Sequence, residues 1–71
     1  MKYIVIDQTT TDLFTKEFDD KEKAIKAAEI DFSYLTKSDL KNRVAFYVLE
    51  SVNPDEEAEN HFDGTPILEL I

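Results

Sequence analysis

The 71-residue chain contains no cysteine. This absence excludes a disulfide bridge, a thiolate zinc site and a thiol nucleophile. A chain of this length forms a single domain, residues 1–71, near the lower limit of what folds alone. Its stability is marginal on general grounds, so self-association is permitted but not required.

Glycine and histidine occur once each, as Gly64 and His61. A phosphate-binding loop needs several glycines, so a glycine-rich nucleotide motif is excluded. A Ser-His-Asp catalytic triad would need His61 beside a serine. The sequence has no G-x-S-x-G motif to place that serine. We therefore expect a protein that is not an enzyme, with no catalytic residues, no cofactor and no metal ion.

Basic residues are missing from the last third of the chain. Residues 1–43 contain nine acids and eight bases, whereas residues 44–71 contain seven acids and no Lys or Arg. The formal net charge is −8. Because proteins bind the phosphate backbone through clustered Lys and Arg, we expect no direct nucleic-acid binding. A net charge of this size commonly serves solubility.

Long apolar runs are also missing. The longest, Val44–Leu49, is far too short to span a bilayer. The first residues, "MKYIVID", reach Asp7 before a long apolar region forms, which is not the pattern of a secretory signal. We therefore expect no membrane partner and a cytoplasmic location.

Four segments have the composition and the alternation of β-strands: "KYIVIDQ", "LFTKEF", "RVAFYVLESV" and "PILELI". The first two are separated by a polar turn and predict a hairpin. The third is apolar on both faces, which favours a central position in a sheet. The fourth begins at Pro66, at a strand start where no ladder donor is needed.

The spacing of apolar residues changes from two to three or four in the segment "FDDKEKAIKAAEIDFSYL", which predicts a helix. Asp19 is the expected cap, with Glu22 three residues later in the capping-box arrangement. One apolar stripe recurs at helical spacing: Ile25, Ala28, Phe32 and Leu35. "TKSDLKN" then predicts a polar connection with one helical turn.

The order β-β-α-β-β restricts the topology. A right-handed crossover gives the sheet order 2-1-3-4, antiparallel throughout, with the helix on one face. The predicted fold is therefore a two-layer α+β domain, with a short helical turn between the third and fourth strands.

The acidic segment "NPDEEAENHFDG", residues 53–64, has three interpretations. Its alternating oxygen side chains are similar to the start of an EF-hand loop, but Ala58 stands where a glycine is needed and Gly64 where a bidentate carboxylate is needed. A zinc site would need more ligands than the lone His61 and its acidic neighbours. A helix start explains more residues, because Asn53 is a favoured cap and Pro54 a favoured first residue.

The segment "FYVLESVNPDEEAENHFDG" resembles one in small uncharacterised proteins of Gram-positive bacteria, many of them plasmid- or phage-borne. The resemblance also includes "MKYIVID" and "FDDKEKAIKAAE", so it covers most of the chain. It implies a bacterial cytoplasmic protein, and it implies no activity.

Three functional hypotheses follow. A helix on one sheet face leaves apolar residues on the other, so the first is a protein-interaction module or homodimer using that uncovered face. The candidate residues of this apolar interface are Tyr3, Val5, Tyr47, Leu49 and Ile67. The second is an acidic decoy that imitates DNA phosphates and occupies a nucleic-acid-binding protein. Its candidate residues are Asp55, Glu56, Glu57, Glu59 and Asp63. The third is a cation-binding acidic loop in the same segment.

Overall fold

The computed structural model describes residues 2–51 and 64–71. The elements of this part of the chain are, in order, β1 (Lys2–Thr9), β2 (Leu13–Phe18), α1 (Lys21–Ser33), α2 (Lys37–Lys41), β3 (Arg43–Ser51) and β4 (Gly64–Glu69). α2 is the helical turn predicted in the polar connection. The helical turn predicted between the third and fourth strands falls on residues 52–63, outside the described residues.

The four strands form one sheet in the order β2-β1-β3-β4, and every neighbouring pair is antiparallel. α1 packs against one face of this sheet. The predicted two-layer α+β fold and its strand order are therefore confirmed. β3 lies between β1 and β4, as its two apolar faces predict.

The hairpin between β1 and β2 turns without glycine. The Thr9 amide donates to the Asp12 carbonyl at 2.8 Å, and the Thr9 hydroxyl accepts from the Asp12 amide, also at 2.8 Å. A threonine hydroxyl thus replaces one backbone partner in the turn. The strands then pair from Gln8 opposite Leu13 to Tyr3 opposite Phe18.

The N-terminus of α1 is capped by Asp20, whose side chain accepts from the Glu22 amide at 3.0 Å. The prediction that Asp19 is the cap was wrong by one residue. Asp19 instead forms a hydrogen-bonded ion pair with Lys2. This bond, and the attraction between the two charges, lower the pKa of Asp19 and raise the pKa of Lys2. The pair links the start of β1 to the β2–α1 connection.

α2 begins with a complete capping box. The Thr36 hydroxyl accepts from the Asp39 amide at 3.2 Å, while the Thr36 amide and hydroxyl both donate to the Asp39 carboxylate. These bonds stabilise the charged carboxylate, so they lower the pKa of Asp39. A five-residue helix is too short to be stable alone, and this box supplies local support.

The contact between α1 and the sheet is centred on two small residues. Ala24 and Ala28 are fully buried, against a cluster formed by Val5, Phe46 and Val48. Two alanines one turn apart allow the helix backbone to approach the sheet closely. The predicted stripe is correct at Ala28, but its centre lies toward Ala24.

The rest of the predicted stripe divides around this centre. Phe32 and Leu35 pack against the cluster as partly buried side chains. The Phe32 ring meets the Phe46 ring edge to face, with centroids 5.5 Å apart. Ile25 was wrongly placed in the stripe: it is only half-buried and lies beside Glu22 and Lys26 on the outer side of the helix.

Pro66 is the third residue of β4, not the first, so its predicted position was wrong. It stands opposite Leu49, next to a register shift between Val48 and Leu49. The backbone groups of Leu49 face β1, because β3 residues bond alternately to β1 and β4. The missing N–H of Pro66 therefore breaks no ladder bond, which is how proline is tolerated on an edge strand.

Candidate interaction surface

The five residues predicted to form an apolar interface lie on different sides of the sheet. Tyr3, Val5 and Ile67 belong to the cluster under α1. Tyr47 and Leu49 belong to a second cluster, on the opposite face. Alternation along each strand separates the two groups, so these residues do not form one surface.

The sheet face opposite α1 carries a second apolar cluster of Ile4, Ile6 and Leu49, with Tyr47 packed against it. Its three central side chains are at most 2 % exposed. Burial also raises the pKa of the Tyr47 hydroxyl. The central residues of this face are therefore buried rather than exposed.

The residues of the predicted acidic surface lie outside the described residues: Asp55, Glu56, Glu57, Glu59 and Asp63. Two acids of the same charge-rich region are described: Glu50 is partly buried on β3 and Glu69 is exposed on β4. Within residues 2–51 and 64–71, acidic side chains do not gather in a group that could hold a metal ion.

Seven large apolar side chains are exposed in the described part of the chain; four belong to β2, α1 or the C-cap of α1, and the others are Leu40, Val44 and Ile71. Tyr34, Phe14 and Ile30 are 79 %, 57 % and 44 % exposed. Ile30 and Tyr34 are four residues apart, so they lie on one side of the helix. We call these three residues the apolar band. Sequence reasoning missed it because Ile30 and Tyr34 fall outside the predicted stripe.

A cleft of about 240 Å³ connects β2 to α1 beside the apolar band. It is lined by Val5, Asp7, Phe14, Thr15, Lys16, Asp31 and Phe46. Lys16 on β2 reaches Asp31 on α1, with 3.3 Å between Nζ and Oδ2. This ion pair fixes which side of the helix faces β2, and Tyr34 lies one turn beyond Asp31 on that side.

A second ion pair involves Asp7, one of the residues that line the cleft. Arg43 Nε lies 2.7 Å from Asp7 Oδ1, and both side chains are largely buried. A bulge makes the contact possible: Gln8 is opposite Ala45 and Thr9 opposite Arg43, so Val44 has no opposite residue. Such a bulge turns the neighbouring side chain to the other face. Arg43 thereby reaches the α1 side, where Asp7 lies.

The charged groups of the cleft are held in ion pairs. Both of its carboxylates face a cation, Asp7 with Arg43 and Asp31 with Lys16. The cleft therefore offers the rings of Phe14 and Phe46 beside two ion pairs.

The described residues form a small α+β domain with exposed apolar side chains on α1 and β2. No protein-family model, curated protein or solved structure matches the chain. Neither α1 nor α2, the helices in the part of the chain that the structure describes, is long and apolar enough to cross a membrane.

Proposed function

We propose that the chain is a non-enzymatic protein-interaction module of the cytoplasm, which binds through the apolar band. The observation that supports this proposal is the exposure of Phe14 on β2, Ile30 on α1 and Tyr34 at the end of α1. Isolated exposed apolar residues are common, but large ones that share one side indicate an interface. Tyrosine in particular is enriched where proteins meet, because its ring is apolar and its hydroxyl tolerates water.

The surroundings of the apolar band support the same function. Lys16 and Asp31 form a surface ion pair beside it, at 3.3 Å. An apolar centre with charged groups at its rim is the usual anatomy of a protein interface. The face opposite α1 is a weaker candidate, because Ile4, Ile6 and Leu49 are already buried within the chain.

The test is a binding titration with two matched variants. A partner is first isolated from the native host by affinity purification, then purified, and its Kd is measured by calorimetry. We expect Tyr34→Ala to weaken binding at least about tenfold, as truncation of an interface aromatic does. Leu40→Ala is the control, since Leu40 is exposed on α2. Equal Kd values for the wild type and Tyr34→Ala would contradict this choice of surface.

A second candidate function is the acidic decoy, supported by the charge distribution. Seven acids and no base occur in residues 44–71. The predicted contact residues are Asp55, Glu56, Glu57, Glu59 and Asp63.

Salt separates the two candidates. The Debye length falls from about 10 Å at 0.1 M salt to about 3 Å at 1 M, so an acidic contact weakens steeply. Burial of apolar surface is not screened in this way. A basic partner released at about 0.5 M salt, with Tyr34→Ala binding like the wild type, would favour the decoy. A partner retained at that salt and lost with Tyr34→Ala would favour the apolar band.

A further inference from the structure

The two edges of the sheet differ in how well they are protected against pairing with another strand. β4 carries Pro66 and a register shift, and both discourage a further strand. β2, the sequence LFTKEF, has neither proline nor glycine, and every residue except Phe18 is exposed. A regular, exposed edge strand is a template for strand pairing.

The hydrogen-bond pattern shows which groups of β2 face outward. The Thr9 amide donates to the Asp12 carbonyl, so these residues are a hydrogen-bonded pair of the hairpin. Bonded and non-bonded pairs alternate along an antiparallel ladder. By this alternation Phe14, Lys16 and Phe18 bond to β1, and their partners are Asp7, Val5 and Tyr3. The N–H and C=O groups of Leu13, Thr15 and Glu17 then point away from the sheet.

The hydrogen bonds between β3 and β4 lead to the same assignment of the β1 residues that bond to β2. The Leu70 amide donates to the Phe46 carbonyl at 2.8 Å, so Phe46 and Val48 bond toward β4. Tyr47 and Leu49 must then bond to Ile6 and Ile4 of β1. Residues 3, 5 and 7 are consequently the ones that bond to β2, in agreement with the hairpin.

We propose that β2 pairs with β2 of a second copy of this chain, antiparallel and with Thr15 opposite Thr15. The two sheets join into one continuous sheet, with both copies of α1 on the same face. The proposal rests on the proposed interaction function and names its partner. Leu13 and Glu17 of one copy bond to Glu17 and Leu13 of the other. With the central pair this gives about six inter-chain backbone bonds.

The charges on β2 select this register. A twofold axis perpendicular to the sheet must place one residue opposite itself. Centring on Lys16 or on Glu17 sets like charges directly opposite each other, which is destabilising. Centring on Phe14 pairs fewer residues of the strand. Centring on Thr15 pairs five of the six residues of the strand, Leu13 to Glu17, and avoids both repulsions.

The Thr15 register also gives the exposed Phe14 ring a partner. Phe14 stands opposite Lys16 of the second copy, as a non-hydrogen-bonded pair, in which opposite side chains come closest. The aliphatic stem of Lys16 can cover the ring while its ammonium group keeps its contact with Asp31. The 57 % exposure of Phe14 in the single chain is then reduced.

The charge distribution favours a second copy at this edge over the β4 edge. Each chain has a net charge of −8, which opposes self-association in general. The excess lies in residues 44–71, which include β4 and most of β3. β2 itself is neutral, with Lys16 and Glu17, and β1 separates it from β3. Two copies that meet at β2 therefore keep their negative regions apart.

Hydrogen exchange tests the pairing directly, together with sedimentation over a concentration series. We expect a dimer in which the amides of Leu13, Thr15 and Glu17 become protected as concentration rises. The amides of Phe14, Lys16 and Phe18 should be protected at every concentration, because they bond to β1. A dimer without protection at the three outward amides would overturn the proposal.

Two variants of Thr15 and one control complete the test. Thr15→Pro removes an amide that points outward, so it breaks no bond of the single chain but interrupts the inter-chain ladder. Thr15→Asp places like charges opposite each other and serves if the proline variant does not fold. Thr15→Val keeps the amide and the β-branched shape. We expect each disruptive variant to raise the dimer Kd at least tenfold and the control to leave it within threefold.

Failure of this inference can be told apart from failure of the proposed function. A wild-type chain that stays monomeric at about 1 mM, yet binds a purified foreign protein through Tyr34, overturns self-pairing and leaves the interaction function standing. A monomer whose outward β2 amides are protected only by a foreign partner also overturns self-pairing. A β2 dimer whose Kd responds to Thr15→Pro supports the proposal.

Discussion

Three phenylalanines on one side of the sheet provide a graded test of the core, by substitution with alanine. Phe46 is 1 % exposed, Phe32 is partly buried against it, and Phe14 is 57 % exposed. Full burial of a phenylalanine removes about 200 Å² from water, which at about 25 cal/mol/Å² corresponds to an upper value of about 5 kcal/mol.

The expected losses follow this gradient. Phe46→Ala should lower the free energy of unfolding by about 4 kcal/mol, because the site is enclosed and a cavity remains. Phe32→Ala should cost about 2–3 kcal/mol, and Phe14→Ala about 1 kcal/mol. The edge-to-face contact between Phe32 and Phe46, at 5.5 Å, should give a coupling of about 0.5–1.5 kcal/mol in a double-mutant cycle.

Urea unfolding followed by circular dichroism measures these losses at pH 7. If Phe46→Ala is already unfolded without urea, Phe46→Leu provides the measurement, with an expected loss of about 1 kcal/mol. Phe14→Ala is the control, since it removes the same atoms from an exposed site. A Phe32→Ala loss below about 1 kcal/mol, or a Phe14→Ala loss equal to that of Phe46→Ala, would refute the packing described under α1.

Four further predictions concern caps, charges and ions. Asp20→Ala should cost about 1 kcal/mol through loss of the α1 cap, and an unchanged urea midpoint would contradict the assignment of the cap. Arg43→Met should cost about 2–3 kcal/mol because Asp7 loses its partner, whereas Arg43→Met with Asp7→Leu should be nearly neutral in the same assay. The pKa of Asp39 is lower in the folded chain than in the unfolded chain, where it is near 3.9. The charged Asp39 carboxylate therefore stabilises the fold above that pH, and this stabilisation is lost as the pH falls through the folded pKa. An acid titration by NMR should show the lowered pKa of Asp39, and Asp39→Asn should remove this part of the pH dependence of stability. Calcium at 1 mM should leave Tm unchanged, whereas a micromolar site would add about 4 kcal/mol.

The sheet order was predictable from the sequence because few topologies satisfy the pattern. "RVAFYVLESV" is apolar on both faces and requires neighbours on both sides. A right-handed crossover through α1 then leaves one place for β3, beside β1. Neither inference needs to know which face of the sheet the helix covers.

The choice of face was not predictable, because both faces of β1 are equally apolar. Tyr3 and Val5 alternate with Ile4 and Ile6, so composition does not say which pair meets α1. The sequence also does not determine which side of α1 faces the sheet, for a similar reason. Ala24 and Ile25 are neighbours, and periodicity alone favours the larger side chain, whereas close packing against the sheet selects the smaller one.

The ion pair between Asp7 and Arg43 depends on a bulge that local sequence does not indicate. The two residues are on different strands, and regular alternation would place Arg43 on the face opposite Asp7. One indication was present in the sequence: Arg43 is the only arginine, and arginine is preferred where an ion pair is partly buried. Composition suggests such a role but does not name the partner.

The two sheet edges connect the fold to the proposed function. The edge strand β4 belongs to the acidic last third of the chain. It carries Pro66 and lies beside a register shift, and both features discourage the addition of a further strand. The opposite edge lacks both features and lies beside the exposed apolar side chains of α1. An edge left unprotected on a chain of net charge −8 is less exposed to uncontrolled aggregation, since like charge limits random association. The charge that keeps two copies apart elsewhere therefore leaves β2 as the place where a specific contact is least opposed.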